Sequence, residues 1–224
     1  MKRLNIAIDG PAGAGKSTVA KLTAQKLGYT YIDTGAMYRA VAWQALKKGV
    51  EHDNRAIAEL ACNLDLKLTN IDNKTNVTVA GHDITEAIRT PEVSRLVPKV
   101  AQVGELREVM LKLQQDMAKP GGVVMDGRDI GTRVLPHADI KVFLTASIAE
   151  RARRRWQELT AKGYSISLAE LEAEIACRDK EDCEREIAPL VAAPDAINID
   201  TTNLSIDATV ASILELHREK QASV

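Results

Sequence analysis

Eight consecutive residues, Gly10-Pro11-Ala12-Gly13-Ala14-Gly15-Lys16-Ser17, satisfy the pattern G-x-x-x-x-G-K-[ST]. Glycines at this spacing let the backbone wrap an anion, and successive N–H groups converge on it at the start of a helix. Lys16 adds a point charge beside the β- and γ-phosphates of a nucleoside triphosphate, and Ser17 a hydroxyl for Mg²⁺. Gly10 to Ser17, with Thr18 behind it, is therefore the expected ATP-binding segment. Where the phosphate goes is not written in the loop.

A second group of residues bears on that question. Arg39 stands about one turn into a helix opened by Asp33-Thr34-Gly35, and Arg128-Asp129 follow an apolar run ending at Gly127. Arg178, Asp182 and Arg185 fall at i, i+4 and i+7, which puts them on one face of a helix. By charge pattern alone that triplet reads as a solvated salt-bridged surface, as does Arg39 taken singly. Arg151, Arg153, Arg154 and Arg155 crowd the start of another helix, where positive charge opposes the helix dipole unless an anion offsets it. That mismatch points to a phosphate-facing lid. Guanidinium forks bind phosphate oxygens in pairs, and an enzyme that joins two polyanions needs such equipment. A phosphomonoester acceptor is already largely ionised, its second pKa being about 6, and requires no general base. His52, His82, His137 and His217 lie in no motif and read as surface or turn residues.

The elements that must position these groups alternate. Leu4 to Asp9 reads as a buried parallel strand, its apolar residues running on without strict alternation and ending at the glycine loop. Lys16 to Leu27 reads as a helix with Val19, Ala20, Leu22 and Leu27 on the sheet side, stopped by Gly28. Tyr29 to Asp33, Val123 to Gly127, Ile140 to Ala146 and Ala196 to Asp200 supply four more strands. Helices follow from Asp33 to about Lys48 and from Asp53 to Cys62, and a closing one from Ser205 to about Glu219. Between them, Asp65–Thr69 and Asn76–Ala80 alternate with period two around a turn at Asn70 to Asn73, with Asp83-Ile84-Thr85 as a third short strand. Antiparallel strands do not belong to a βα core, so residues 50–90 read as an insert that can close over a substrate. Thr90-Pro91 opens a helix expected to run to about Ala118, kinked or broken at Pro98, with Leu106, Val109, Met110, Leu113 and Met117 on its apolar face. Ser147 with Glu150 and Ser167 with Glu170 fit capping boxes.

The whole is 224 residues with a net charge of −1, 45% hydrophobic and 27% charged. Near-neutral charge and 3% aromatic content argue against nucleic acid and against a base-stacking platform. Cys62, Cys177 and Cys183 form no C-x-x-C pair or even disulfide set, and no apolar run approaches a membrane span, so a cytoplasmic chain without membrane association is expected. The N-terminus enters its first strand too early for a targeting peptide.

Four stretches together resemble the cytidylate kinase family of bacterial nucleoside monophosphate kinases: Ile8 to Ser17, Asp33-Thr34-Gly35-Ala36-Met37-Tyr38-Arg39, Asp126-Gly127-Arg128-Asp129-Ile130-Gly131-Thr132, and Arg178-Asp179 through Asp182 and Arg185 to Pro189-Leu190. The resemblance implies an α/β fold with a five-stranded parallel sheet flanked by helices, a single P-loop kinase domain over residues 1–224, a monophosphate-binding insert over 50–90 and a lid over about 151–166. It implies transfer of the γ-phosphoryl group of ATP to CMP or dCMP, with Mg²⁺, by a monomer. Lys16, Arg128 and Arg185 would be catalytic, and Arg154 would join the loop on the ATP side. Thr34, Arg39, Arg107, Arg128, Asp129, Arg178, Asp182 and Arg185 would bind the acceptor. Of these, Arg39, Arg128 and Arg185 match the family's acceptor-phosphate positions, Arg178 and Asp182 the sugar positions, and Arg107 and Asp129 the positions that read cytosine. Arginine can donate to the O2 and N3 acceptors of cytosine, and aspartate can accept from its amine. Where the family usually carries a serine this chain has Pro98, which has no donor, so UMP is expected to compete better here than in a serine-bearing relative. Ser94, one turn earlier, or a water is the expected substitute.

Two other readings remain open on residues alone. A P-loop kinase of a small carboxylated or hydroxylated metabolite would want a base near Asp33 or Asp126. An ATP-binding module could turn Arg151 to Arg155 on a phosphate backbone.

Overall fold

The structure, a computed structural model, describes residues 2–71 and 74–223. In chain order the elements are β1 (Ile6–Asp9), α1 (Lys16–Leu27), β2 (Thr30–Asp33), α2 (Thr34–Lys48), α3 (Asn54–Cys62), β3 (Leu66–Ile71), β4 (Lys74–Val79), β5 (His82–Asp83), α4 (Pro91–Val100) and α5 (Gly104–Ala118). They continue with β6 (Val123–Gly127), β7 (Ile140–Thr145), α6 (Ile148–Ala161), α7 (Leu168–Glu184), β8 (Ile197–Asp200) and α8 (Ile206–Ala222).

All four residues of β1 are buried because it is the middle strand of a five-stranded parallel sheet ordered β2-β6-β1-β7-β8. Successive side chains leave opposite faces of a strand, and β1 shows the consequence. Ile6 and Ile8 pack with Val19 and Ala20 of α1 and Val210 and Ile213 of α8. Ala7 packs instead with Ile32, Met125, Ile130 and Val134 on the other face. A sheet covered on both faces needs apolar residues at both parities, which is why the strands read as runs rather than alternations.

The register brings the chemistry to one edge. Asp9 lies beside Gly127, and Asp33 beside Asp126. The chain leaves β1 towards β2 on one side and later fills β7 and β8 on the other, so the sheet's switch point lies over the C-terminal end of β1, where open α/β sheets bind ligands.

The antiparallel strands form a separate three-stranded sheet, β3-β4-β5. Its third strand is His82–Asp83, one residue ahead of the expected Asp83 to Thr85, because the chain turns into α4 through a 3₁₀ turn at Ala87–Arg89. Residues 72 and 73 of the expected hairpin turn lie outside the described residues. Val77, Val79, Ile84 and Ile88 of this unit pack on Ala36 and Ala40 of α2.

The single helix expected from Pro91 to Ala118 is two helices. α4 begins on the Thr90 cap with Pro91 in its first turn and runs through Pro98 to Val100. Pro98 does remove one backbone bond, but it stands near the end, where little helix is left to hold. The break comes at residues 101–103 and α5 restarts at Gly104, with Leu106 and Met110 buried and Val109, Leu113 and Met117 packed beside them. Ser167 and Glu170 form a complete capping box on α7. At α6 only half forms: Ser147 accepts from the Glu150 N–H, while the Glu150 carboxylate turns to Arg153 and Arg154. No described helix is long and apolar enough to cross a membrane.

Candidate active site

A cleft of about 1140 Å³ runs over the C-terminal edge of the sheet, lined at one end by residues 12–17 of the loop and at the other by Arg39, Arg107, Arg128 and Arg185. Pockets for one small molecule hold about 300–1,000 Å³, so this one has room for more than a single such ligand.

The donor end is built by the loop. A side chain on Gly10 would collide with the carbonyl of Leu144 on β7, so only glycine lets the chain leave β1 there. Gly15 is left-handed at φ 86° and serves as the N-cap of α1, aligning that helix with the loop. Lys16 is buried and its ammonium donates to the Pro11 carbonyl at 2.7 Å. Burial, with Arg128 adding to it, drives the Lys16 pKa well below the ordinary lysine range. Ser17 donates to Asp126 at 2.9 Å, and Tyr31 donates to the other oxygen of the same carboxylate at 2.8 Å. Burial, then the nearby Asp33, raises Asp126 to about 6.

The arginines crowding the start of α6 do not form one phosphate-facing row. Arg151 points inward: it is buried, grips both oxygens of Asp179 at 2.9 and 2.6 Å, and donates to the carbonyls of Ala12 and Ala146. Arg153 and Arg154 take Glu150, whose carboxyl these bonds pull down to about 2, and Arg155 takes Glu158. Glu150 and Glu158 offset the unfavourable dipole here, and Arg153, Arg154 and Arg155 line the same cleft as the loop. Arg154 also donates to the hydroxyl and carbonyl of Thr201, and Thr201 lies within reach of the Ala14 carbonyl of the loop.

The acceptor end gathers residues scattered through the sequence. Arg39 donates to both oxygens of Asp33, which is also the N-cap of α2. Thr34 is buried and donates to the Asp126 carbonyl at 2.6 Å. Arg107, 3% exposed, reaches from α5 to Asp129 and lies 5.8 Å from the ring centre of Tyr38. Arg128 donates to Asp182 at 2.7 Å, and Arg178 and Arg185 stand 4.0 and 3.8 Å from the same carboxylate. Burial alone would raise Asp182, but Arg128 and Arg178 hold it below the ordinary carboxylate range. The triplet is therefore an interior cluster, not a solvated face. Arg185 sits just past the end of α7 in extended conformation and donates to the Ala188 carbonyl. Burial, with Arg128 adjoining, brings Arg178 down to about 10.

These arginines are not satisfied. Arg39, Arg107 and Arg178 each bury an Nε without a hydrogen-bond partner, and Arg185 buries such an Nη2. A buried donor without an acceptor costs free energy, and all four of these arginines line the one cleft, where an oxygen-rich anion would meet their guanidinium groups.

Pro98 and Ser94 both line the cleft, and the Ser94 hydroxyl donates to the Thr90 carbonyl at 2.9 Å. The expected substitute for the missing serine thus spends its proton on its own helix. His217 is half-buried on α8 and bonds the Tyr29 hydroxyl at 2.9 Å, away from the cleft. Among the described residues no group of three or more His, Cys, Asp or Glu is arranged to hold a metal.

Sequence reasoning passed over several residues of this site. Asp9 is buried and accepts from the N–H groups of Ile130 and Gly131 at 2.8 and 2.7 Å, fixing the turn that carries Asp129. Its signal was its place, the last strand residue before the loop. Tyr31 shares a strand face with Asp33, two residues on. Nothing local marks Thr201 or the Arg151–Asp179 pair.

The family model described as cytidylate kinase matches residues 6–219. A cytidylate kinase of Bacillus licheniformis is 53% identical over 221 residues, covering 98% of each chain. One of Caldicellulosiruptor bescii is 52% identical over 217 residues, 96% of each. A solved structure of an uncharacterized protein from Eubacterium ventriosum aligns with a TM-score of 0.51 at 13% identity, over 95% of this chain and 97% of that one, a likeness of fold alone. With a phosphate loop at one end of the cleft, unsatisfied arginines at the other, and relatives matched along nearly their full length, this chain belongs to the cytidylate kinase family.

Proposed function

We propose that the chain transfers the γ-phosphoryl group of ATP to CMP or dCMP, giving ADP and CDP or dCDP. The observation that carries the acceptor half is the set of four buried arginine donors without partners, all lining one cleft with the phosphate loop. A phosphomonoester supplies acceptor oxygens for such donors, and an arginine fork pairs with two of them at once.

In this reading the loop from Gly10 to Thr18 binds the triphosphate, Lys16 meets its β/γ oxygens, and Arg154 holds the ATP side. Arg39, Arg128 and Arg185 bind the acceptor's phosphate, and Arg178 with Asp182 meets the sugar. Arg107 and Asp129 read the base, and Thr34 joins the acceptor side. An acceptor oxygen bonds to the γ-phosphorus as the bond from that phosphorus to the β–γ bridging oxygen breaks, and ADP leaves with the electron pair. Lys16, Arg128 and Arg185 offset the charge spread over the transferring group. No base is required, because the attacking oxygen is ionised. The two carboxylates a hydroxyl acceptor could use are engaged: Asp33 by Arg39 and Ala36, Asp126 by Ser17 and Tyr31. That disfavours the rival kinase of a hydroxylated metabolite.

Mg²⁺ suits the donor set, since Ser17 and the carboxylate behind it are hard oxygen groups and the ion commonly takes few protein ligands beside substrate phosphates. Ser17 would hold it, and when bound it neutralises charge on the β and γ oxygens. Residues 50–90 are the unit that closes over the acceptor, and the stretch from about 151 to 166 the lid over the donor. Because Arg151 is bolted to the loop, the moving part of that lid begins beyond it.

The test is ADP formation from ATP with and without CMP, dCMP and UMP. Acceptor-dependent turnover with CMP and dCMP ahead of UMP supports the reading; ATP binding indifferent to every monophosphate defeats it in favour of a module.

A further inference from the structure

Asp129 opens a short helical turn, Ile130–Val134, and its carbonyl accepts from the N–H groups of Arg133 and Val134 at 2.9 and 3.1 Å. An aspartate in that place ordinarily folds its own carboxylate back onto an N–H at the start of the turn. Asp129 makes no such bond. Its Oδ2 accepts from Arg107 instead, its Oδ1 stands 3.7 Å from Arg185, and the residue lines the cleft.

The cap comes from another strand. Asp9 closes β1 beside Gly127 of β6 and is 4% exposed. Its two oxygens accept one N–H each, from Ile130 at 2.8 Å and from Gly131 at 2.7 Å. The Gly131 N–H is one that the carboxylate of a capping residue would otherwise take for itself. A β-carbon on Gly131 would stand 3.3 Å from Asp9 Oδ2 and 3.2 Å from the Lys141 side chain, tighter than ordinary contact, so glycine there lets the carboxylate approach.

We propose that Asp9 is a positioning residue for base recognition: by capping this turn in place of Asp129, it leaves the Asp129 carboxylate to Arg107 and the cleft. The proposal rests on the CMP kinase reading. Without Asp9, two buried N–H groups lose their acceptor, and the carboxylate of Asp129 relieves that cost by turning back onto its own turn. The cleft then loses the acceptor that separates the amine of cytosine from the carbonyl of uracil. Acting through Asp129, Asp9 bears on the choice of acceptor rather than on the transfer itself.

The experiment measures steady-state kinetics of the full chain with CMP, UMP and ATP. Asp9→Ala is expected to lower the ratio of kcat/KM for CMP to that for UMP roughly tenfold, while KM for ATP stays within about twofold. Asp9→Asn, whose amide keeps one acceptor oxygen, should fall between Asp9→Ala and wild type. In an Asp129→Asn background, Asp9→Ala should change the ratio by less than about twofold, since both substitutions act on one carboxylate. An unchanged ratio in Asp9→Ala overturns the proposal, as do equal losses with CMP and UMP, or effects of the two substitutions that simply multiply; each of these would mark Asp9 as a structural cap alone. Should Asp9→Ala fail to fold, Asp9→Asn carries the test, and an unchanged ratio there overturns the proposal. Wild type that forms no ADP in response to CMP would overturn the kinase reading instead.

Discussion

Arg151 and Asp179, on successive helices α6 and α7, form a two-pronged ion pair at 2.9 and 2.6 Å whose arginine also donates to the Ala12 carbonyl of the phosphate loop. The pair ties both helices to the donor site. The Arg151 side chain is 4% exposed, and removing one partner from a buried pair typically costs about 3–5 kcal/mol because the other is left uncompensated. Arg151→Ala is expected to lose stability in that range by urea unfolding and to raise KM for ATP. Asp179→Asn should lose less, because an amide oxygen still accepts. A loss below about 1 kcal/mol for Arg151→Ala would mean that solvent already screens the pair.

Burial, with Arg128 adding to it, disfavours the charged form of Lys16, a cost that an ammonium recovers where it meets developing negative charge. Lys16→Ala is expected to lower kcat about 10²–10³-fold and to change KM for ATP much less, since the interaction strengthens in the transition state. Steady-state kinetics over both substrates decide it. An effect confined to KM would assign Lys16 to ground-state binding.

Burial raises Asp9 to about 6, against the two N–H groups that lower it. Its folded pKa lies above the ordinary value of 3.8, so between about pH 4 and 6 the folded chain keeps a proton that the unfolded chain has released. Stability contributed by this group is present below that window and is lost as pH rises through it. Asp9→Asn removes the titration. Urea unfolding across pH 4 to 8 should show wild type losing stability relative to the variant as pH rises through about 6, by up to about 3 kcal/mol. A constant difference at all pH values would contradict the raised pKa.

Asp129 and Arg107 hold each other in this structure, so an alanine at 129 would leave a buried guanidinium unpaired and confuse specificity with stability. Asp129→Asn keeps an acceptor for Arg107 and gains an amide donor, which suits the uracil carbonyl where cytosine has its amine. The expected outcome is a fall of about 10–100-fold in kcat/KM for CMP and dCMP with UMP unchanged or improved. Arg185→Ala should impair all three alike. Pro98→Ser, restoring a hydroxyl to the cleft wall, should widen the preference for CMP over UMP. Proportional losses across CMP and UMP in Asp129→Asn would refute the division of roles.

How much of this was legible in the sequence depended on the range of the forces involved. The phosphate loop is local: its glycines, its lysine and the strand before it are contiguous, and backbone geometry does the rest. The parallel strands were legible because burial on both faces leaves an apolar run. The small sheet announced itself by alternation. Arg39, Arg128-Asp129 and the triplet Arg178, Asp182 and Arg185 stood out by their places at element ends, though Arg39 alone and the triplet's charge pattern favoured a solvated surface. Arg107 and the separate roles were legible only through resemblance to a family.

What the tertiary structure decided is which charges face which. Arg178, Asp182 and Arg185 are interior because β6 delivers Arg128 to the same point from another part of the chain. The basic start of α6 is split, one arginine buried beneath the loop and the rest matched to carboxylates a turn away. Pro98, which the pattern marked as a break, lies inside α4, and the chain parts three residues later, where neighbouring elements rather than propensity set the ends. Local sequence determines the loop and the strands because their hydrogen bonds and periodicities are short-range. The pairing of buried charges is long-range and belongs to the fold.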